Sequence, residues 1–112
     1  MSRYNGWTNW ETWNCKLWID NDQGSQCYWD EAATDAWEST DEDDECNERS
    51  DQARSSLAKT LETEHYDALN LTPGFFLDCI QTSLQVVDWD EIANSILAGL
   101  DLDGYIETDV AA

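Results

Sequence analysis

The stretch Asp88-Trp89-Asp90-Glu91-Ile92-Ala93-Asn94-Ser95-Ile96-Leu97-Ala98-Gly99-Leu100 decides the fold class. Asp88 and Glu91 stand three residues apart ahead of an apolar run, the spacing of a capping pair that opens a helix. Ile92, Ala93, Ile96, Leu97 and Leu100 then recur at i, i+1, i+4, i+5 and i+8, one face of a 3.6-residue period. Gly99 to Gly104 closes the segment. The residues before it, Gln85 to Trp89, carry the strongest strand composition in the chain, but a cap at Asp88 turns them into a connection between helices. With strand signals weak elsewhere, the expectation is an all-α protein.

Working back along the chain, the same signals repeat. Thr72 followed by Pro73 reads as a cap and a first-turn proline. A fourth helix follows, expected to bury Phe75, Phe76, Cys79, Ile80, Leu84 and Val87. A third helix is expected from about Cys46 to Tyr66, with Ala53, Leu57, Ala58 and Leu61 on its apolar face. Ser25 is placed to cap a second helix bearing Tyr28, Trp29, Ala32, Ala33, Ala36 and Trp37. Thr8 and Glu11 form a capping pair for a first helix from about Asn9, ended by Asn21 to Gly24. Trp10, Trp13, Leu17 and Trp18 make an aromatic stripe on it, read as core. Trp7 is placed to staple the preceding chain onto the first turn. Ser39 to Glu45 reads as a loop or a frayed helix start, and Tyr105 to Ala112 as a tail. The expected architecture is a compact bundle of four or five short helices with an acidic outer face, residues 1–104 forming one domain and 105–112 a C-terminal tail.

A chain of 112 residues can bury one core. Seven tryptophans and 41% hydrophobic residues set it apart from disordered acidic tails. Twenty-five acids face five bases, a net charge of -20. Such a molecule repels nucleic acid and anionic membranes and attracts basic surfaces. Met1 to Trp10 lacks the apolar core of a signal peptide. The expected setting is the host cytoplasm, where thiols are reduced. Cys15, Cys27, Cys46 and Cys79 show no C-x-x-C spacing, so they read as packing residues or bystanders.

Catalytic signals are weak. His65 is the one side chain that titrates near neutrality unperturbed. The sequence holds no nucleophile elbow, phosphate-cradling glycine loop or H-E-x-x-H motif. The reading is a non-enzyme without cofactor or metal. Asp101 to Ile106 resembles the middle of a calcium loop, but the first and twelfth ligand positions fall on Gly99 and Val110, which cannot serve. In Asp20-Asn21-Asp22-Gln23-Gly24 the glycine comes one residue early.

The acidic middle is the candidate site. From Asp30 to Asp51 eleven acids stand against the single base Arg49, a net of -10. The residues singled out for partner binding are Asp30, Glu31, Asp35, Glu38, Asp41, Glu42, Asp43, Asp44, Glu45 and Glu48. Acids three or four apart on a helix lie about 5–6 Å from each other. A duplex presents one charge per roughly 1.7 Å of axis. A rigid face of this kind can stand in for a DNA backbone. The opposing reading is solvation. Two lysines, with Asp outnumbering Glu, suit a protein from a saline cytoplasm.

Two stretches carry a resemblance: Tyr4-Asn5-Gly6-Trp7-Thr8-Asn9-Trp10-Glu11-Thr12-Trp13-Asn14, continuing to Leu17-Trp18, and Val87-Asp88-Trp89-Asp90-Glu91-Ile92-Ala93. They are similar to small proteins encoded by bacteriophages and plasmids. The resemblance implies a mobile-element origin and no particular site residue. Such genomes encode acidic DNA-mimicking inhibitors of restriction and CRISPR nucleases. The functional expectation is therefore a DNA-mimic-like inhibitor of a basic nucleic-acid-binding host protein, an anti-restriction or anti-CRISPR factor. It would bind no nucleic acid or membrane directly, and act as a monomer or small homo-oligomer. The alternative is a phage accessory or assembly protein that binds its partner through the Trp-rich end, its acidity serving only solvation or halophily.

Overall fold

A computed structural model describes residues 4–41 and 44–106. Five helices follow one another: α1 Trp10–Asn21, α2 Gln23–Glu38, α3 Cys46–Asp67, α4 Phe75–Gln85 and α5 Trp89–Gly99. The protein is an all-α bundle. No helix among the described residues is long and apolar enough to cross a membrane.

The core forms where three apolar faces meet. α2 contributes Trp29, Ala33 and Trp37, spaced by four. α3 contributes Ala53, Leu57, Ala58 and Leu61, and α5 contributes Ile92, Ala93, Ile96 and Leu97, all buried as their periodicity requires. α5 is the centre of the bundle and packs on α3, α2 and α1. Small alanines at 33, 53 and 93 let the helices approach while Trp37, Trp89 and the leucines fill the space between.

Several helix ends depart from the sequence expectation, each for a local reason. Asn9, not Thr8, caps α1: its side chain accepts from Thr12 N. Asp22 caps α2 by accepting from Ser25 N, so Gly24 lies inside the first turn of α2 and does not terminate α1. An aspartate three residues before Ser25 offers a charged acceptor in place of the Ser25 hydroxyl, and it separates α1 from α2 by itself. α4 begins after Gly74, one residue beyond Pro73, without a side-chain cap. At α5 the expected cap holds, with Asp88 Oδ1 accepting from Glu91 N at 3.1 Å.

Two packing expectations are overturned. α4 buries none of its residues: Phe75 and Phe76 are each 74% exposed, and Cys79 and Ile80 are also open to solvent. Only Leu84, near its end, and Val87, beyond it, reach the core. The Trp stripe on α1 is likewise not core, because Trp10 is 47% and Trp18 67% exposed. α1 meets the bundle instead through Thr12, Cys15 and Ile19, a face rotated away from the stripe.

Before α1, Asn5 (φ 48°) and Gly6 (φ 88°) make the tight turn that Asn-Gly pairs favour, closed by Tyr4 N to Trp7 O at 2.8 Å and Trp7 N to Tyr4 O at 2.7 Å. The turn sets the Tyr4 ring 5.0 Å from that of Trp13 and leaves Trp7 packed against the core. At the other end, Tyr105 and Ile106 are tied to the bundle. Tyr105 Oη donates to Asn94 Oδ1 at 2.8 Å, and Ile106 N donates to Ser50 Oγ at 2.7 Å. Of the expected tail, residues 107–112 lie outside the described residues.

Candidate functional site

The acidic segment begins on α2. With Trp29, Ala33 and Trp37 turned inward, Glu31, Asp35 and Glu38 fall on the opposite side and are exposed. Asp41, Glu45 and Glu48 are exposed in the connection and the first turn of α3, while Asp30 and Asp44 are half-buried. Glu42 and Asp43 lie outside the described residues. Asp44 accepts from Gln52 Nε2 at 3.2 Å, a link between the connection and α3. No ion pair among the described residues engages Glu31, Asp35, Glu38, Glu45 or Glu48.

The base of this segment does not neutralise it. The Arg49 guanidinium lies over the Trp37 ring, 4.2 Å from its centroid, and Nε donates to Thr40 Oγ1 at 2.9 Å. A cation on an indole face is held by the ring quadrupole. The charge is thus committed to packing the end of α2 onto α3, and the outward carboxylates keep their field. Arg54 is similarly engaged. It pairs with Asp51 at 2.6 Å and donates to Ile106 O at 3.0 Å.

A second arrangement joins the two stretches that carry the resemblance. The N-terminal ends of α1 and α5 meet side by side. Thr8 N donates to Glu91 Oε1 at 2.8 Å, and Thr8 Oγ1 to Asp88 Oδ2 at 3.1 Å. Asn9 Nδ2 donates to Val86 O at 2.6 Å. Asp88 N donates to Thr12 Oγ1 at 2.8 Å, and that hydroxyl donates to Asn9 Oδ1 at 2.6 Å. Glu91 and Thr12 are almost wholly buried. Both helix N-termini carry partial positive charge, so the Asp88 and Glu91 carboxylates stabilise two dipoles at once. Among the described residues every buried side-chain nitrogen and oxygen has a partner.

The model of one family, described as a family of unknown function (DUF7249), matches residues 1–99. The chain belongs to DUF7249. No curated protein and no solved structure matches it. The DUF7249 match ends at Gly99, the last residue of α5, so it holds both sides of this junction and the whole acidic segment.

A third feature of this DUF7249 protein is a cleft of about 320 Å³ between α1 and the end of α4, walled by Trp10, Trp18, Ile19, Leu84 and Val87. His65 and Cys15 stand at its base, with Nε2 and Sγ 3.7 Å apart. The pair has the hydrogen-bond arrangement of a nucleophilic dyad, and what differs is the thiol. His65 Nδ1 lies 2.7 Å from Leu61 O, a group that only accepts, so Nδ1 carries the proton and Nε2 faces the thiol as an acceptor. Burial pushes the Cys15 thiol up from 9.0 to about 11. A reactive cysteine needs the opposite shift. The His65 ring lies between Trp29, stacked at 5.8 Å, and Trp89 at 5.2 Å. The ring is thus packed between two indoles, with the thiol donating to Nε2.

The sequence located the acidic segment but not the inward-turned Arg49, the α1–α5 junction or the cleft. A signal for the junction was present. Thr8, Asn9 and Thr12 offer more polar groups than one helix start consumes. In the Asp20–Gly24 stretch Asp22 caps α2 and Asp20 pairs with Lys16 at 2.6 Å. Among the described residues no three His, Cys, Asp or Glu side chains come together as a metal-ligand set.

Proposed function

We propose that this protein is a charge-based, DNA-mimic-like inhibitor that binds a basic nucleic-acid-binding protein of its host. The observation that carries the reading is the commitment of Arg49 to the Trp37 face, which leaves Glu31, Asp35, Glu38, Glu45 and Glu48 exposed and without an ion-pair partner. On α2 three of these carboxylates span seven residue steps, about 10 Å of helix axis. Their mean axial spacing is about 5 Å against roughly 3.4 Å for one DNA strand, so the face is a somewhat dilute copy of a phosphate row. A folded helix holds that row rigid, which spares a binding partner the entropy of ordering a tail. The host-defence context comes from the resemblance to phage and plasmid proteins.

The test is capture of basic proteins from host lysate at low salt, with and without competing duplex DNA. A specific partner released by DNA supports the reading. The variant Glu31→Lys, Asp35→Lys, Glu38→Lys and Glu48→Lys should lose that partner while its helical circular dichroism is unchanged. Capture that ignores both DNA and salt removes the reading.

The exposure of Trp10 and Trp18 favours a second reading, an accessory protein of the phage that binds its partner through the aromatic end. Binding of that kind would survive about 0.5 M salt, where charge contacts are screened. It would be lost in Trp18→Ala.

A further inference from the structure

One face of α1 walls the cleft it shares with the end of α4. Trp10, Asn14 and Trp18 stand four residues apart on it, and Glu11, Cys15 and Ile19 make a second row of the same spacing. Rows of that spacing run side by side along a helix, so both line the cleft together. Four residues span about 6 Å of axis, which sets the two indoles about 12 Å apart at the backbone, with Asn14 between them. Leu84 and Val87 close the apolar side. The volume, about 320 Å³, is that of a small-molecule site. The polar lining is one-sided. Cys15 and His65 are spent on each other, Sγ to Nε2 at 3.7 Å. Glu11 is the one carboxylate among the lining residues, and no lysine or arginine stands with it. Among the described residues no ion pair or hydrogen bond engages that carboxylate. Lys16, the nearest base in sequence, is paired with Asp20 at 2.6 Å.

We infer that this cleft binds a small organic ammonium ion, an apolar or aromatic body with an N–H-bearing cationic head. The head fits Glu11, whose carboxylate accepts a charge-assisted hydrogen bond, and Asn14 Oδ1 takes a second N–H. The body fits Trp10 and Trp18, whose ring faces attract a cation and whose area is apolar. Other ligand classes fail on the same residues. An anion would meet Glu11 with no base to offset it. A neutral ligand that filled the cleft would strip water from the carboxylate and leave it unpaired, a cost that a cation removes. The choice rests on Glu11 and the two indoles, which line one cleft, and not on the charge of the whole chain. It is also separate from the proposed function, because Glu31, Asp35, Glu38, Glu45 and Glu48 do not line the cleft.

A matched pair of probes tests it by nuclear magnetic resonance. In about 150 mM salt the field of distant carboxylates is screened within about 8 Å. Under that condition phenethylammonium should shift the indole N–H resonances of Trp10 and Trp18 in a saturable titration, with a Kd below about 1 mM. Phenethyl alcohol, of nearly the same shape but neutral, should bind at least about tenfold more weakly. Glu11→Gln should weaken binding of the ammonium at least about fivefold, and Trp18→Ala at least about threefold. Neither side chain is buried, so the circular dichroism of both variants should be unchanged. The combined variant Glu31→Lys, Asp35→Lys, Glu38→Lys and Glu48→Lys should bind phenethylammonium as the wild type does, which keeps this result apart from the outcome of the partner capture. Equal affinity for the alcohol and the ammonium overturns the inference, as does full affinity in Glu11→Gln. Shifts that never saturate, or that vanish in the combined lysine variant, assign the cation to the acidic surface at large and also overturn it.

Discussion

α4 and α5 are both eleven residues long, and the sequence gives each a clear apolar face. Yet seven residues of α5 are buried and none of α4. Periodicity states that a helix has a face; it does not state what the face meets. What separates the two is the polar chemistry at their starts. α5 opens on Asp88 and Glu91, which are bonded to Thr8 and Thr12 of the α1 start and fix the helix in the bundle. α4 opens on Gly74, with no side-chain cap among the described residues. The anchored helix became the centre of the core, and the unanchored one remains at its margin.

The comparison breaks most easily at the two cores. Leu97→Ala on α5 should cost about 3 kcal/mol, a fully buried leucine exchanged for a cavity. Ile80→Ala on α4 should cost less than about 1 kcal/mol, since its side chain is already open to water. Urea unfolding of both variants measures the gap; equal costs would mean that α4 is packed after all.

The cysteines sharpen it by titration. The folded-state value of Cys15, about 11, lies above 9.0, so folding favours the protonated thiol. That stability is fully present below pH 9 and is lost as pH rises through 11. The advantage of the wild type over Cys15→Ala should therefore shrink by about 2–3 kcal/mol across that window. Matched denaturation curves at pH 8, 9.5 and 11 would show it, and a constant difference would contradict the buried thiol. Cys79 on α4 should alkylate readily at pH 8 while Cys15 resists.

A smaller effect tests the junction. Thr12→Val keeps the shape of a buried side chain but strands the Asp88 N–H, and should cost about 2 kcal/mol. The matching change on α4, Thr82→Val, removes a hydroxyl bonded only to Asp78 O in its own helix, and should stay within about 0.5 kcal/mol. Similar values for the two would demote the junction to an ordinary pair of caps.

The helices were legible because period and caps are local. Leu57 and Leu61, or Ile92 and Ile96, announce a face with no knowledge of the rest of the chain. The exposure of Phe75 and Phe76 was not legible, because hydrophobicity in a sequence does not state whether a face is covered. The Trp10–Trp18 stripe misled for a related reason: α1 seats itself through the smaller Thr12, Cys15 and Ile19. Gly24 misled because Asp22 had already supplied the boundary. The ten acids chosen for partner binding could be read as a charged stretch. That Arg49 would spend its charge on Trp37, twelve residues earlier in the chain, required the third dimension.

The α1–α5 junction also bears on how the chain is made. Thr8 and Glu91 are 83 residues apart, so α1 acquires its anchor only when Glu91 too has left the ribosome. At roughly 5–20 residues per second that is a wait of about 4–16 s, far longer than a helix needs to form. During it the acidic hairpin of α2 and α3 can close on itself, since its contacts are nearer in sequence. α5, arriving after the other helices, completes the core and captures α1 in one step, so its arrival is also the act that makes the fold cooperative.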